Sequence, residues 1–72
     1  MSKLDYVYGD DWCGIYVDGL LVAEGHSLST MEVVGICMLH RIDNATSSPV
    51  DIEWLHDRGD LPRQIEDVKW AA

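Results

Sequence analysis

Two short, mainly apolar segments flank an Asp-Gly pair near the start of the chain. The segments are Trp12–Val17 and Leu20–Glu24, and Asp18 and Gly19 join them. A two-residue Asp-Gly link between apolar segments is the strongest short-range signal for a β-hairpin, because aspartate and glycine tolerate the positive φ that this turn needs. The sequence therefore predicts two antiparallel strands here.

The turn also determines how the two predicted strands pair. We expect Ile15 opposite Val22 on one face and Gly14 opposite Ala23 on the other. Both faces then carry mainly apolar side chains, whereas a sheet with one solvated face alternates apolar and polar residues. The hairpin is therefore predicted to be covered on both sides.

A capped helix over Thr30–Arg41 is predicted to follow the hairpin. Ser29 and Glu32 have the spacing of a capping box, in which each side chain bonds to the backbone N–H of the other residue. Gly35 lies inside this helix at a cost of about 1 kcal/mol relative to alanine. We therefore expect Gly35 to allow a close approach between the helix and the sheet.

The apolar residues of the predicted helix are not confined to one side. At 100° per residue, one set lines up as a seam that we expect to pack on the sheet. This seam consists of Met31, Val34, Met38 and Ile42. A second set points away from it, and leaving this set in water would forgo roughly 1.5–3 kcal/mol per side chain. We therefore predict that the C-terminal segment or another subunit covers it, and the predicted interface residues are Val33, Ile36, Cys37 and Trp54.

The segments on either side of this hairpin–helix unit are less regular. Residues 1–11 are predicted to form a frayed tail or a weak edge strand, because Gly9 ends a short alternating pattern. Residues 42–47 predict a weak third strand, since Asp43 and Asn44 are poor strand formers.

A short C-terminal helix is predicted to start at Ser48 and end at Gly59. Serine is a good N-cap, Pro49 suits the first helical position, and glycine favours a helix C-terminus. Apolar and acidic residues also alternate over 50–54, so a strand is the alternative there. Together these elements predict one α+β domain over residues 1–72, in the order ββαβα.

Composition excludes several classes of protein. A net charge of −8 argues against direct binding to nucleic acid, which requires clustered cations. The chain lacks an apolar run of about 18 residues, so no membrane span is predicted. Its first residues lack the apolar core of a signal peptide, and two cysteines are too few for a disulfide scaffold. We therefore predict a cytoplasmic protein with reduced thiols.

The sequence carries no strong signal for a metal, a cofactor or catalysis. Cys13, His26, Cys37 and His40 could be assembled as a zinc site with two cysteines and two histidines, but among them only Cys37 and His40 have a short ligand spacing. Neither cysteine lies in a glycine-framed nucleophile turn. We predict no metal, no cofactor and no enzymatic activity.

Two groups of residues are candidates for binding. Trp12 and Tyr16 flank Gly14, an arrangement that would form a slot for a planar ligand. A set of acidic side chains, if it shares one face, would attract a basic or nucleic-acid-handling protein. This set consists of Asp10, Asp11, Asp18, Asp51, Glu53 and Asp57.

Three motifs of the chain occur together in a recognisable order. They are Trp12-x-Gly14-x-Tyr16-Val17-Asp18-Gly19-Leu20, Glu24-Gly25-His26-Ser27, and Glu53-Trp54-Leu55 before Leu61-Pro62. This order resembles small uncharacterised open reading frames of phages and bacteria. The resemblance implies a phage accessory setting, in which many small acidic proteins block host defence enzymes, and it assigns no catalytic residue.

The sequence thus favours a non-enzymatic, acidic protein-interaction module. We expect it to bind a host protein as a phage-type inhibitor or accessory protein and to form a homodimer or a higher oligomer. The alternative is a protein that sequesters a small ligand or a nucleotide in the slot at Trp12 and Tyr16.

Overall fold

A four-stranded mixed sheet forms the middle layer of the protein in the computed structural model, which describes residues 2–71. The order of the strands across the sheet is β3-β2-β1-β4. In chain order the elements are β1 (Ser2–Tyr8), β2 (Cys13–Val17), β3 (Leu20–Gly25), α1 (Thr30–His40), β4 (Ile42–Pro49), α2 (Ile52–Arg58) and a 3₁₀ turn at Ile65–Asp67. The predicted α+β class is confirmed, with one strand more than expected.

The additional strand is the N-terminal segment, and the prediction of a frayed tail or edge strand is wrong. β1 lies inside the sheet, antiparallel to β2 and parallel to β4. Val7 is 0% exposed and Leu4 is also buried. Asp5 accepts a hydrogen bond from Thr46, which lies 41 positions further along the chain. The partners that make β1 a central strand are distant in sequence, so its local pattern gives no sign of them.

The hairpin turn is confirmed, but part of the predicted register is wrong. Asp18 and Gly19 both have positive φ, at 51° and 87°. Beyond the first two pairs the register shifts, so that Ile15 faces Ala23 instead of Val22. Gly14 consequently faces Glu24 instead of Ala23. One extra residue in β3 forms a bulge, which increases the local twist and is not specified by the turn.

The two elements after α1 are present with shifted boundaries. β4 is an eight-residue strand, although most of its side chains are polar and exposed. The second helix is confirmed, but its N-cap is Asp51, whose carboxylate accepts from the Trp54 N–H. Ser48 and Pro49 belong to β4. Gly59 ends α2 with a φ of 83°, as predicted.

Both faces of the sheet are covered by the chain itself. On one face α1 packs over Leu4, Ile15 and Val17. On the other face α2 and the C-terminal segment contribute to a second cluster of buried residues. This cluster consists of Val7, Tyr16, Val50, Leu55, Leu61 and Val68. The prediction that the hairpin is covered on both sides is therefore confirmed.

The C-terminal segment also covers parts of both sheet edges. At the start of β3, Leu21 N–H donates to Arg63 O at 2.8 Å and Ile65 N–H donates to Gly19 O at 2.9 Å. After β4, Asp51 N–H donates to Lys69 O at 2.9 Å. Over residues 42–48 the outer edge of β4 has no strand partner within the described part of the chain. No helix among residues 2–71 has the length and apolar character to cross a membrane.

We predict that Val7→Ala lowers the free energy of unfolding by about 2 kcal/mol, because it leaves a cavity in the centre of the sheet. Val22→Ala is the matched control, since Val22 is 41% exposed, and we expect it to change stability by about 0.5 kcal/mol or less. Urea unfolding followed by tryptophan fluorescence measures both. Equal effects of the two substitutions would contradict the central position of β1.

Candidate functional site

The local sequence of α1 explains both of its ends. Ser29 is the N-cap, and its hydroxyl accepts from the Glu32 N–H at 3.1 Å. The Glu32 carboxylate accepts from the Ser29 N–H, which completes the predicted capping box. At the other end Arg41 adopts the left-handed conformation, and its N–H bonds to Cys37 O. The helix therefore ends one residue before the predicted Arg41.

The side of α1 that packs on the sheet is the opposite of the predicted one. Val33, Ile36 and Cys37 are half-buried against the sheet, so the prediction that they form an outer interface is wrong. The predicted seam residues Met31, Val34 and Met38 point to solvent instead. Of the seam, only Ile42 packs inward, and it belongs to β4. Because α1 is apolar on all sides, its sequence does not determine which side faces the sheet.

The outward side of α1 forms the largest group of exposed apolar side chains on one element. Met31 is 85% exposed, Leu39 is 78%, Met38 is 75% and Val34 is 48%. Gly35 lies among them, and a Cβ added there would meet no atom within 4 Å beyond the adjacent residues and the helix's own backbone. The expected close approach of Gly35 to the sheet is therefore wrong. We call Met31, Val34, Gly35, Met38 and Leu39 the α1 outer face.

The region around α1 has no formal net charge. Residues 26–42 contain one acid, Glu32, and one base, Arg41, in a chain with a net charge of −8. Arg41 forms no ion pair within residues 2–71. The α1 outer face is therefore an apolar surface without a local excess of negative charge.

The acidic residues singled out from the sequence are distributed over different parts of the molecule. Asp10 and Asp11 follow β1 at one end of the sheet, and Asp18 lies in the hairpin turn at the other end. The Lys3 N–H donates to Asp18 at 2.9 Å, and this hydrogen bond lowers the pKa of the Asp18 carboxyl. The structure does not bring these three carboxylates together.

The other three predicted acidic residues belong to α2, on the sheet face that α1 does not cover. Asp51 caps α2 and lies 3.7 Å from Lys69 Nζ, so its charge is partly compensated. Glu53 and Asp57 are exposed on the helix. Trp54, a predicted interface residue, is half-buried against the core, with the Arg58 guanidinium 5.6 Å from the centre of its ring.

The predicted slot between Trp12 and Tyr16 is filled by the C-terminal segment. Tyr16 is fully buried, and its hydroxyl donates to Pro62 O at 2.5 Å. A Cβ at Gly14 would overlap Leu61 Cδ1, so no space for a ligand exists above this glycine. Tyr16 consequently has no exposed surface that a ligand could contact.

Glu24 is a structural residue that the sequence analysis did not single out. Its Oε1 accepts from Trp12 Nε1 at 3.0 Å and from the Leu61 N–H at 2.9 Å. One carboxylate thus joins β3, the β1–β2 connection and the C-terminal segment. The only sequence sign is an acid inside an otherwise apolar strand, which by itself does not identify its partners.

Two shallow grooves on the described surface are both small for a ligand site. One has a volume of about 220 Å³ and lies between Tyr6, Tyr8, Trp12 and His26. The other has a volume of about 210 Å³ beside the hairpin turn. Ligand pockets usually have volumes of about 300–1,000 Å³. Neither groove therefore favours the small-ligand alternative.

The candidate metal ligands are not assembled into a site. Cys13 is buried, and its thiol donates to Gly25 O at 3.5 Å. The ring of His26 packs edge-on against Trp12, with 5.0 Å between the ring centres. Within residues 2–71 no three His, Cys, Asp or Glu side chains lie close enough to hold a metal ion.

Comparison of the chain with protein-family models, curated proteins and solved structures finds no match. The resemblance to small phage and bacterial open reading frames therefore stays a prediction.

We predict that Tyr16→Phe flattens the loss of stability at alkaline pH. Burial and the nearby Glu24 carboxylate raise the pKa of Tyr16 to about 12, from an ordinary value of 10.0. Between these values the unfolded chain has lost a proton that the folded chain keeps, so the free energy of unfolding decreases as pH rises from about 10 to about 12. Tyr16→Phe should reduce this decrease and cost about 1 kcal/mol at neutral pH, because the hydrogen bond to Pro62 is lost.

Urea unfolding at neutral pH and through the alkaline range measures both effects. Tyr8→Phe is the matched control, since Tyr8 is exposed. A Tyr16→Phe protein that loses stability as steeply as the wild type above pH 10 would show that Tyr16 ionises normally in the folded state.

Proposed function

We propose that this chain is a non-catalytic protein-interaction module and that it binds through the α1 outer face. The observation that supports this is the exposure of Met31, Met38 and Leu39 on a helix whose other side already packs on the sheet. Complete burial of each of these side chains would contribute roughly 1.5–3 kcal/mol. Contiguous exposed apolar surface of this kind is typical of protein contact sites.

The distribution of charge agrees with this role. Interfaces have an apolar, charge-depleted centre and a polar rim. The α1 outer face contains no charged side chain, and Glu32 and Arg41 lie near the two ends of the helix. The six acids singled out above lie at the ends of the sheet and on the α2 side, where they contribute to a polar surface. A basic partner, inferred from net charge alone, stays a prediction, as does a host enzyme as target.

We predict that the triple variant Met31→Ser, Met38→Ser and Leu39→Ser abolishes binding and leaves the fold intact, because these residues make up most of the α1 outer face. The purified chain is immobilised, exposed to extract from its native host cell, and every retained protein is quantified, including further copies of the chain itself. Retention at high salt is expected, since apolar contacts are not screened.

The matched control changes the same number of exposed apolar residues elsewhere, at Leu20, Val22 and Ile52, also to serine. Circular dichroism and the thermal midpoint show that each variant is folded. Binding that survives in the α1 variant and disappears in the control would assign the contact to a different surface. Binding that disappears at high salt would assign it to the acids instead.

A further inference from the structure

We propose that the partner of the α1 outer face is a second copy of this chain, docked antiparallel so that Met38 of each copy lies on Gly35 of the other. This inference rests on the function proposed above and names the partner. It is supported by the shape of the outer face, by its charge, and by the features of the β4 edge that disfavour strand pairing between copies.

The shape of the outer face is complementary to itself. Gly35 leaves a gap between the side chains of the outer face, and apart from the adjacent residues and the surrounding helix backbone nothing in its own chain lies within 4 Å of the position of a Cβ. Met38 is three residues further on and protrudes on the same side, 75% exposed. A glycine inside a helix is destabilising relative to other residues, and close contact with a second helix at this position would offset that cost.

Two-fold symmetry determines whether an antiparallel or a parallel pair of helices brings Met38 onto Gly35. In a two-fold symmetric interface, a contact from residue i to residue j is accompanied by the contact from j to i. In an antiparallel pair of helices, the two-fold axis passes midway between Gly35 and Met38. Each methionine then lies on the glycine of the opposing helix. A parallel pair would place Gly35 against Gly35 and Met38 against Met38, leaving one position hollow and the other crowded.

Charge explains how a chain with a net charge of −8 can contact its own copy. Residues 26–42 contain one acid and one base, so the contact region has no net charge. The repulsion between two copies then acts mainly between acids outside this region, and salt screens it. Association should therefore become tighter as salt increases, whereas binding to a basic partner would become weaker.

The open edge of β4 is another exposed surface through which two copies could pair, and its features disfavour strand addition. The pairing with β1 shifts at its start, so Asp43 is an extra residue in β4. The strand then continues with mainly polar residues and ends at Pro49. Bulges, charges and prolines are the devices that prevent edge-to-edge pairing of sheets. The helix is therefore the better docking element.

Sedimentation equilibrium from micromolar to millimolar protein tests the proposal directly. We expect a monomer–dimer equilibrium that tightens when sodium chloride is raised from about 0.05 M to about 0.5 M, which shortens the Debye length about three-fold. Met38→Gln should weaken dimerisation by about ten-fold or more, as for a side chain at the centre of an interface. Ile52→Gln, at an exposed apolar position of α2, should change it by about two-fold or less.

Gly35→Gln distinguishes an effect on the dimer contact from an effect on the stability of the monomer. Glutamine is a better helix former than glycine, so the thermal midpoint of the dilute monomer should rise by a few degrees. The same side chain fills the gap that would receive Met38, so dimerisation should weaken. A gain in monomer stability without any loss of dimerisation would overturn the proposed contact.

Cross-linking tests the orientation. Gly35→Cys and Met38→Cys are prepared separately and mixed under mild oxidation. An antiparallel pair should give the mixed disulfide faster than either variant cross-links to itself. Preferential cross-linking of each variant to itself would indicate a parallel pair and overturn the arrangement.

The outcomes distinguish this inference from the proposed function. A strict monomer at millimolar concentration that still captures another protein through the α1 outer face overturns the second copy and leaves the interaction module in place. A dimer that is insensitive to Met38→Gln, together with capture that is insensitive to the triple serine variant, overturns both.

Discussion

The packing of residues 61–68 across one face of the sheet determines which surfaces the other elements have to cover. Leu61 fills the space above Gly14, and Pro62 accepts the hydroxyl of the buried Tyr16. Glu24 holds this segment by accepting the Leu61 N–H while it also binds Trp12. Since the chain covers this face by itself, α1 is needed only on the other face. One side of α1 is sufficient for that purpose, and its other apolar side is left in solvent.

The parts of the fold that depend on short-range chemistry follow from the sequence. The Asp18-Gly19 turn needs two positive φ angles, and the Ser29–Glu32 capping box satisfies backbone groups within one turn of helix. Gly59 ends α2 for the same kind of local reason. In each case the residue that determines the structure and the backbone it determines are within four positions of each other.

The errors arise where distant residues decide the outcome. β1 becomes a central strand because β4 pairs with it, and no residue within 1–11 indicates this. The bulge in β3 is a property of the twisted sheet and not of the turn. The orientation of α1 could not be obtained, because Val33, Ile36 and Cys37 are as apolar as the residues on the other side. The two sides are distinguished by the contacts that α1 makes with the sheet.

The sequence indicates the kind of candidate site, an apolar helix surface, but not the side of the helix on which it lies. An excess of apolar side chains on the helix was visible in the sequence, and an exposed apolar helix surface is what the structure contains. The predicted interface residues Val33, Ile36 and Cys37 lie on the other side of the helix, against the sheet. The acids could not be placed because Asp10 and Asp18 are close in sequence yet lie at opposite ends of β2. Tyr16 looked available for a ligand because its cover, Pro62, is 46 positions away.

The parallel pairing of β1 with β4 has a consequence for the rate of folding. Asp5 and Thr46 meet across 41 positions, whereas the hairpin and α1 each form from neighbouring residues. Pairing of such distant segments must overcome the entropy of closing a long loop before any of its contacts form, and it is slow for that reason. The hairpin and the helix should therefore form early, whereas β1 lacks a strand partner on one edge until β4 pairs with it. During that interval the unpaired edge of β1 and the apolar helix are exposed together, and aggregation would compete most strongly with folding at that stage.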